Sequence, residues 1–402
     1  MYLLTFCEFA ENKVKSKSTV SLKPLLIGIV AFVILLTLIR YITEGRKMRK
    51  GRMFGVCVLA GVMCVVSSCS RAPEIPTAPQ SVLNVGFYAY FAPVSYSADS
   101  DPAADGFNIH LGYEADLLTA IEVMDVGLSF SRRGIAEWSG IWLKAAEPEY
   151  DLIGGGITIL DSRTQDATGT QRVAFISGHI TFRQSLLVRA EDADRLSEYA
   201  SLTRDVKVGV LRGTTGEARL LQITGIVDAN GVIAKGTRID TPQGTLVADG
   251  SADYKITAAA STPNVENRFT LYPPAANMPQ VNYPVNMPYQ GFDPLIPRVL
   301  VALSDEQVLF ENLRERRIDA IARGEIGNRD AAAAVHGAFV VTALDEQVEY
   351  GGFTLAVEDV VLRASLNEWI DYLTDGGNIG YGEWLADPQV FLKRAQVRKN
   401  DE

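Results

Sequence analysis

The chain has 402 residues, 47% hydrophobic and 21% charged, enough to bury a large core and to make two lobes, so a disordered protein is excluded. The first 68 residues hold 10 Lys and Arg against 3 Asp and Glu, and the remainder holds 28 against 45, a net of −17; so acidic a body argues against nucleic acid as a partner. All cysteines (Cys7, Cys57, Cys64, Cys69) lie at the amino-terminal end and the histidines (His110, His179, His336) are far apart, so beyond Cys69 neither a disulfide framework nor a Cys- or His-based metal site is expected, and no cofactor.

Residues 1–68 read as a targeting region. An apolar run, Leu25–Ile39, between basic flanks makes 22–43 a possible membrane span. Met48–Arg52 is then basic, Phe54–Val66 is apolar but short, and Val66-Ser67-Ser68-Cys69 follows. This order, over 48–68, resembles a bacterial lipoprotein signal with its lipobox ending at Cys69; the resemblance implies that Cys69 is lipidated and anchors the protein outside the cytoplasm, in the cell envelope. Two apolar segments before one lipobox leave open whether translation begins at Met48 or residues 1–47 add a span. The Pro- and Ala-rich stretch after Cys69 reads as a tether over 69–80.

Strands and helices then alternate. Val82–Phe87 predicts a strand, Gly112–Met124 a helix with Leu117, Leu118, Ile121 and Met124 on one face, and Tyr150–Ile157 a buried strand. That strand breaks into Gly154-Gly155-Gly156, with Thr158 and Arg163 beyond. Glycines there let main-chain N–H groups approach a ligand, and an arginine held past the turn offers its planar fork to a carboxylate or phosphate. This is one half of an anion site. Lys207–Leu211 is another strand, breaking into Gly213-Thr214-Thr215-Gly216-Glu217, a second glycine turn into a helix. Ser304 with Gln307 forms a capping box before an apolar helix, Arg317–Ala322 (RIDAIA) and Gly351–Val357 (GGFTLAV) are strands, and Leu366, Trp369, Ile370 and Leu373 mark a helix ended by Gly376-Gly377. The alternation argues a mostly parallel α/β sheet.

Taken in order, VGFYAYFAPVSY, GYEADL, YDLIGGGITILDSR, VGVLRGTTGE, RIDAIA and LNEWIDYLTDGGNIGYGEWL resemble the extracellular solute-binding proteins of family 3, the amino-acid-binding family. The resemblance covers most of 82–390. It implies a two-lobed periplasmic-binding-protein-like α/β fold of type II, each lobe a mostly parallel sheet flanked by helices, with lobe 1 at 81–184 and 352–394, lobe 2 at 185–351, and crossings near Ser185 and Gly352. It also implies a small-molecule ligand with a carboxylate, an ABC importer permease as partner, and a monomer. Carried onto this sequence, Phe91 covers the ligand, Gly156 and Thr158 meet its carboxylate, Arg163 binds that carboxylate, and Thr214 and Thr215 reach it from the opposite lobe.

Two positions depart from the family. Gly324, between Arg323 and Glu325, stands where an aspartate usually binds an α-ammonium group, and Val94 stands where phenylalanine is common. Glu325 is the residue expected to restore an acid, and with it amino-acid binding, if the loop shifts by one; Arg323 points the other way, toward a second anionic group, and the site is then expected to bind a small organic carboxylate or a modified amino acid, not an ordinary α-amino acid. Residues 226–297 are a long insertion in the second lobe, with Asn230-Gly231 as a hairpin turn. Arg172 lies in a longer loop that reads as solvated. Two alternatives remain open: an enzyme resembling cyclohexadienyl dehydratases, which carry a glutamate where Glu217 sits, and a ligand-sensing lipoprotein.

Overall fold

The computed structural model describes residues 81–284 and 304–401. The targeting region, Cys69, the tether and residues 285–303, which include the end of the insertion, lie outside the described residues. The chain opens with β1 (Ser81–Tyr88), whose buried half is Val85–Tyr88, and turns into α1 (Tyr113–Met124). Leu117, Leu118 and Ile121 of α1 are fully buried, as their helical spacing requires. After β2 (Leu128–Ile135), β3 (Leu152–Gly154) and β4 (Val173–Phe175) come β5 (Ile180–Phe182) and β6 (Gln184–Arg189). The second half continues through β7 (Lys207–Gly209), α2 (Thr215–Ile223), β8 (Arg238–Thr241), β9 (Gly244–Val247), β10 (Thr270–Tyr272) and β11 (Gln280–Asn282). It then runs through α3 (Asp305–Arg314), β12 (Ala320–Gly324), α4 (Glu325–Ala334) and β13 (Phe339–Thr342). The chain returns by β14 (Glu349–Gly351) to β15 (Thr354–Ala356), and α5 (Val360–Leu373) and α6 (Val390–Asp401) follow.

These elements make two sheets. The first has the order β2-β1-β3-β15-β4 and the second β9-β8-β10-β11-β7-β12-β6-β13, while β5 and β14 pair as a two-stranded ribbon between them. β1 runs parallel to both β2 and β3, and β7 runs parallel to both β11 and β12. The chain therefore leaves the first sheet through β5 into β6 and comes back through β14 into β15. In each sheet the strand that follows the crossing inserts antiparallel beside the third parallel strand. Two α/β lobes joined by two crossings, with this strand order, is the type II periplasmic-binding-protein-like arrangement.

Each lobe has its own core. Leu117, Leu152, Phe353, Leu355, Leu366 and Ile370 belong to the first, and Leu186, Val208, Leu220, Ile239, Leu271 and Ala320 to the second. A fully buried Leu or Ile contributes roughly 1.5–3 kcal/mol relative to an exposed one. Ile239 and Leu271 come from the insertion, so it is no surface decoration: β8, β9 and β10 lengthen the second sheet by antiparallel pairing beyond β11. Asn230 and Gly231 form a tight turn between the bridged Val227 and Ile233, where Asp228 accepts the Asn230 and Val232 N–H groups.

Several expected strands differ in extent, Lys207–Leu211 among them, which is shortened to β7. The strand expected over 150–157 is shortened to β3 because Gly155 (φ 135°) and Gly156 (φ 67°) take the chain out of β geometry. RIDAIA enters its strand only at Ala320, since the Arg317 and Ile318 N–H groups still bond to the Asn312 carbonyl at the end of α3. GGFTLAV is split, because the chain changes sheets between Gly351 and Thr354. The Ser304–Gln307 capping box is present, with each residue's side chain bonded to the other's N–H.

Candidate functional site

The glycine turn after β3 forms the first wall of the cleft. A Cβ on Gly156 would stand 2.5 Å from the Phe91 ring, which is how closely the aromatic lies on the bare backbone. The turn's N–H groups do not face a ligand. Gly155 N–H donates to Glu114 Oε2 at 2.7 Å and Gly156 N–H to Glu114 Oε1 at 2.9 Å. Glu114, in the first turn of α1, is fully buried beneath the turn, and burial pushes its carboxyl up to about 7 against the pull of those two bonds. The expectation that the turn's N–H groups cradle an anion is thus corrected: this chain supplies the anion itself.

The opposite wall is the start of α2. Thr214 is its N-cap, accepting the Glu217 N–H at 3.2 Å and donating to the Leu211 carbonyl at 2.8 Å. Thr215 Oγ1 lies 3.3 Å from Thr158 Oγ1 of the other lobe and accepts from Gln184 Nε2 at 3.0 Å. Trp138 Nε1 of the first lobe donates to the Gly213 carbonyl of the second at 3.1 Å. Thr158, Thr215 and Trp138 are thus among the side chains that hold the two walls together.

Between the walls is a cavity with about 70 Å³ open to the centre of a water-sized sphere. The first lobe lines it with Tyr88, Phe91, Trp138, Gly156, Thr158 and Phe182, and the second with Leu211, Thr214, Thr215, Gly216, Arg323 and Gly324; Gln184 and Glu306 complete it. Phe91, Gly156, Thr158, Thr214 and Thr215 are therefore brought together around one cavity.

Arg163 is not brought to this cavity. It is fully buried, and Nε, Nη1 and Nη2 all donate to main-chain carbonyls: Nε and Nη2 to Ala258 (3.3 and 3.0 Å), Nη1 to Thr158 (3.3 Å) and Nη2 also to Gly213 (3.1 Å). Its guanidinium lies over the rings of Trp142 (4.4 Å) and Trp138 (5.5 Å). Burial pulls its pKa down to about 9, with Glu349 pulling the other way. Ala258 belongs to the insertion, so a second-lobe loop covers the face of Arg163 expected to meet a carboxylate.

Glu325 also departs from expectation. As the first residue of α4 it turns along the helix to Arg329, accepting from Nε at 2.6 Å, and it does not line the cavity. Of the charges that do line it, Arg323 stands beside the Gly324 position as the sequence indicates, whereas Glu306 went unrecognised. Glu306, in the first turn of α3, is buried, accepts from Tyr88 Oη at 3.3 Å on both oxygens, and lies 3.7 Å from Arg323 Nη2. Burial pushes Glu306 up to about 7, with Arg323 and the Tyr88 bond lowering it and Asp305 raising it. Ser304 and Gln307 revealed the helix, but no local pattern says which residue of its first turn faces a cleft made by distant strands.

Glu217 is fully buried below the α2 turn. Its carboxylate accepts from Arg268 Nε (3.1 Å) and Nη2, Tyr283 Oη (2.6 Å) and the Gly213 N–H (2.7 Å), and it does not line the cavity. Arg268 and Tyr283 both belong to the insertion, which is thereby fastened to the cleft wall. Arg172 is exposed and pairs loosely with Asp166 at 3.8 Å, and Val94 is core. Among the described residues no group of His, Cys, Asp and Glu is placed to hold a metal ion.

No family model and no curated protein matches the chain. Solved structures do show similarity. An ancestral arginine-binding protein bound to arginine is 15% identical with a TM-score of 0.47, over 79% of this chain and 98% of that one. Holo ArgBP from T. maritima is 18% identical with a TM-score of 0.45, over 76% and 96%. A substrate-binding protein of an ABC uptake transporter from Streptococcus pneumoniae, with bound histidine, is 17% identical with a TM-score of 0.46, over 78% and 92%. At such identities the likeness says nothing of the residues in this cleft.

Proposed function

We propose that this chain is an extracytoplasmic solute-binding protein that takes a small solute into the cleft between its lobes and closes over it. The observation that carries this reading is the cavity lined from both lobes, Phe91 and Thr158 on one side and Thr215 and Arg323 on the other, where only two crossings join the lobes. On this reading Cys69 anchors the body to the membrane and an ABC importer permease receives the solute. A thermal-shift screen of amino acids and small organic acids tests it, because a ligand that binds only the folded state raises its melting temperature. No shift with any of them overturns it.

One observation favours a second reading, a lyase: Glu306 is a buried carboxyl with a pKa near neutrality inside the cavity. Glu217, the proton donor that the dehydratase comparison suggested, is engaged by Arg268 and Tyr283 and faces away from the cavity. Prephenate and arogenate followed by NMR separate the readings, since a binding protein returns its ligand unchanged.

A further inference from the structure

Beneath the first wall a buried acid faces a buried base across a gap. The side chains of Glu114 and His179 are both fully buried, and Glu114 Oε1 stands 3.5 Å from His179 Nε2. That is longer than an N–H···O bond of about 2.7–3.2 Å. Among the described residues neither ring nitrogen of His179 has a hydrogen-bond partner, which is rare for a buried polar group. Burial keeps the ring neutral, pulling its pKa down to about 3, while it pushes Glu114 up to about 7. A neutral imidazole donates from one nitrogen and accepts at the other. With its hydrogen on Nδ1, Nε2 turns a lone pair toward a carboxylate oxygen: two acceptors face each other, and one proton fills the gap.

The position of the pair gives that proton a consequence. Oε1 is the oxygen that accepts the Gly156 N–H at 2.9 Å, while Oε2 accepts from Gly155 at 2.7 Å. Gly156 is the glycine that lies on Phe91 in the cavity wall. His179 immediately precedes β5, and its N–H donates to the Gly351 carbonyl of β14 at 2.9 Å, where the two crossings run side by side. Other groups around the pair are few. Tyr113 Oη donates to the His179 carbonyl, Glu383 of the helix Tyr381–Ala386 acts on Tyr113 from a distance, and Phe353 of β15 lies 4.7 Å from the imidazole. Among the described residues no lysine or arginine is paired with Glu114.

We propose that Glu114 and His179 form a proton-operated catch under the cleft: without a proton between them Glu114 holds both glycines of the wall, and with one on Oε1, donated to His179 Nε2, it loosens Gly156 and ties itself to the crossing. The step takes one proton from solvent, forms the Oε1–H bond and leaves no charge buried. A hydroxyl oxygen accepts from Gly156 less strongly than the carboxylate, whose bonds are charge-assisted and roughly twice as strong. Acid therefore slackens the wall beside Phe91, and base restores it. The inference goes beyond the solute-binding reading, and its test uses no solute.

The test is NMR of the full chain without solute, labelled with carbon-13 at glutamate Cδ and with nitrogen-15 at glycine, titrated through neutrality. The Glu114 signal is the one missing from Glu114→Gln, which separates it from Glu306. The expected result is a Glu114 midpoint near 7, with the Gly156 amide signal moving in step. In His179→Leu, checked for folding by circular dichroism, the O–H loses its acceptor, so the proton affinity of Glu114 should fall by about tenfold or more. An unchanged or raised midpoint in the folded variant overturns the inference, because His179 is then only packing against Phe353 or carries the proton itself. If that variant does not fold, wild type decides alone. A Gly156 amide that moves with Glu114 upholds the inference; one that stays still while Glu114 titrates, or a Glu114 that does not titrate, overturns it.

Discussion

Arg163 in the first lobe donates through Nη2 to the Ala258 carbonyl of the second-lobe insertion at 3.0 Å. The contact joins the lobes directly. Arg163→Ala strips partners from the Ala258, Thr158 and Gly213 carbonyls and vacates the space over Trp142, so a stability loss of about 2–5 kcal/mol is expected. Small-angle scattering of the ligand-free variant should show a larger radius of gyration than wild type. An unchanged radius in a folded variant would mean that the lobes are held closed by something else.

The Glu217 carboxylate is the bolt between the insertion and the cleft wall. Glu217→Gln replaces a buried charge that accepts from Arg268, Tyr283 and Gly213 with an amide that cannot accept all of them, leaving the Arg268 cation uncompensated. A drop in melting temperature equivalent to about 3 kcal/mol is expected. Exchange protection should fall first in β8 to β10. A variant as stable as wild type would show that the insertion is held by its core contacts alone.

The succession of strands and helices was legible in the sequence because it is written locally: apolar runs such as Leu152-Ile153 end at glycines, and capping residues such as Ser304 announce helices. The cavity's small and aromatic residues, Phe91, Gly156, Thr158, Thr214 and Thr215, were legible through their motifs. Its acid, Glu306, was not. Glu306 is paired with Tyr88 across the whole fold, and Arg163 is diverted by a carbonyl from an insertion whose path no spacing rule describes. Glu325 was misread for a simpler reason: at a helix start, a partner four residues on is nearer than the cleft.

Binding should weaken as pH falls. Burial raises Glu306 to about 7 in the empty cleft, and a cationic group on the ligand favours the ionised carboxylate. Affinity should be full well above that value and decline by about tenfold per unit below it. In the ligand-free protein the sign is the reverse. A carboxyl raised from its ordinary 4.5 contributes stability that is present below 4.5 and lost as pH rises through about 7. Calorimetric titrations across this range check the first effect, and Glu306→Gln should flatten the profile; affinity independent of pH would remove Glu306 from the site.

At the amino-terminal end, outside the described residues, Cys69→Ala should leave the body in the soluble envelope fraction or as an unprocessed precursor. The basic, apolar and small-residue order from Met48 to Cys69 motivates it. Acyl labelling that persists in the variant would place the anchor elsewhere.

The insertion also bears on how the second lobe tolerates added chain. β7 and β11 are neighbours in register, Lys207 against Gln280, although everything from residue 210 to residue 279 runs between them. Each doubling of such a loop adds only about 0.6 kcal/mol of closure entropy, and this stretch returns far more by pairing its own strands and burying Ile239 and Leu271. Chain added at this edge has therefore become part of the lobe: its strands extend the sheet, and its Ala258, Arg268 and Tyr283 reach back to Arg163 and Glu217 at the cleft wall.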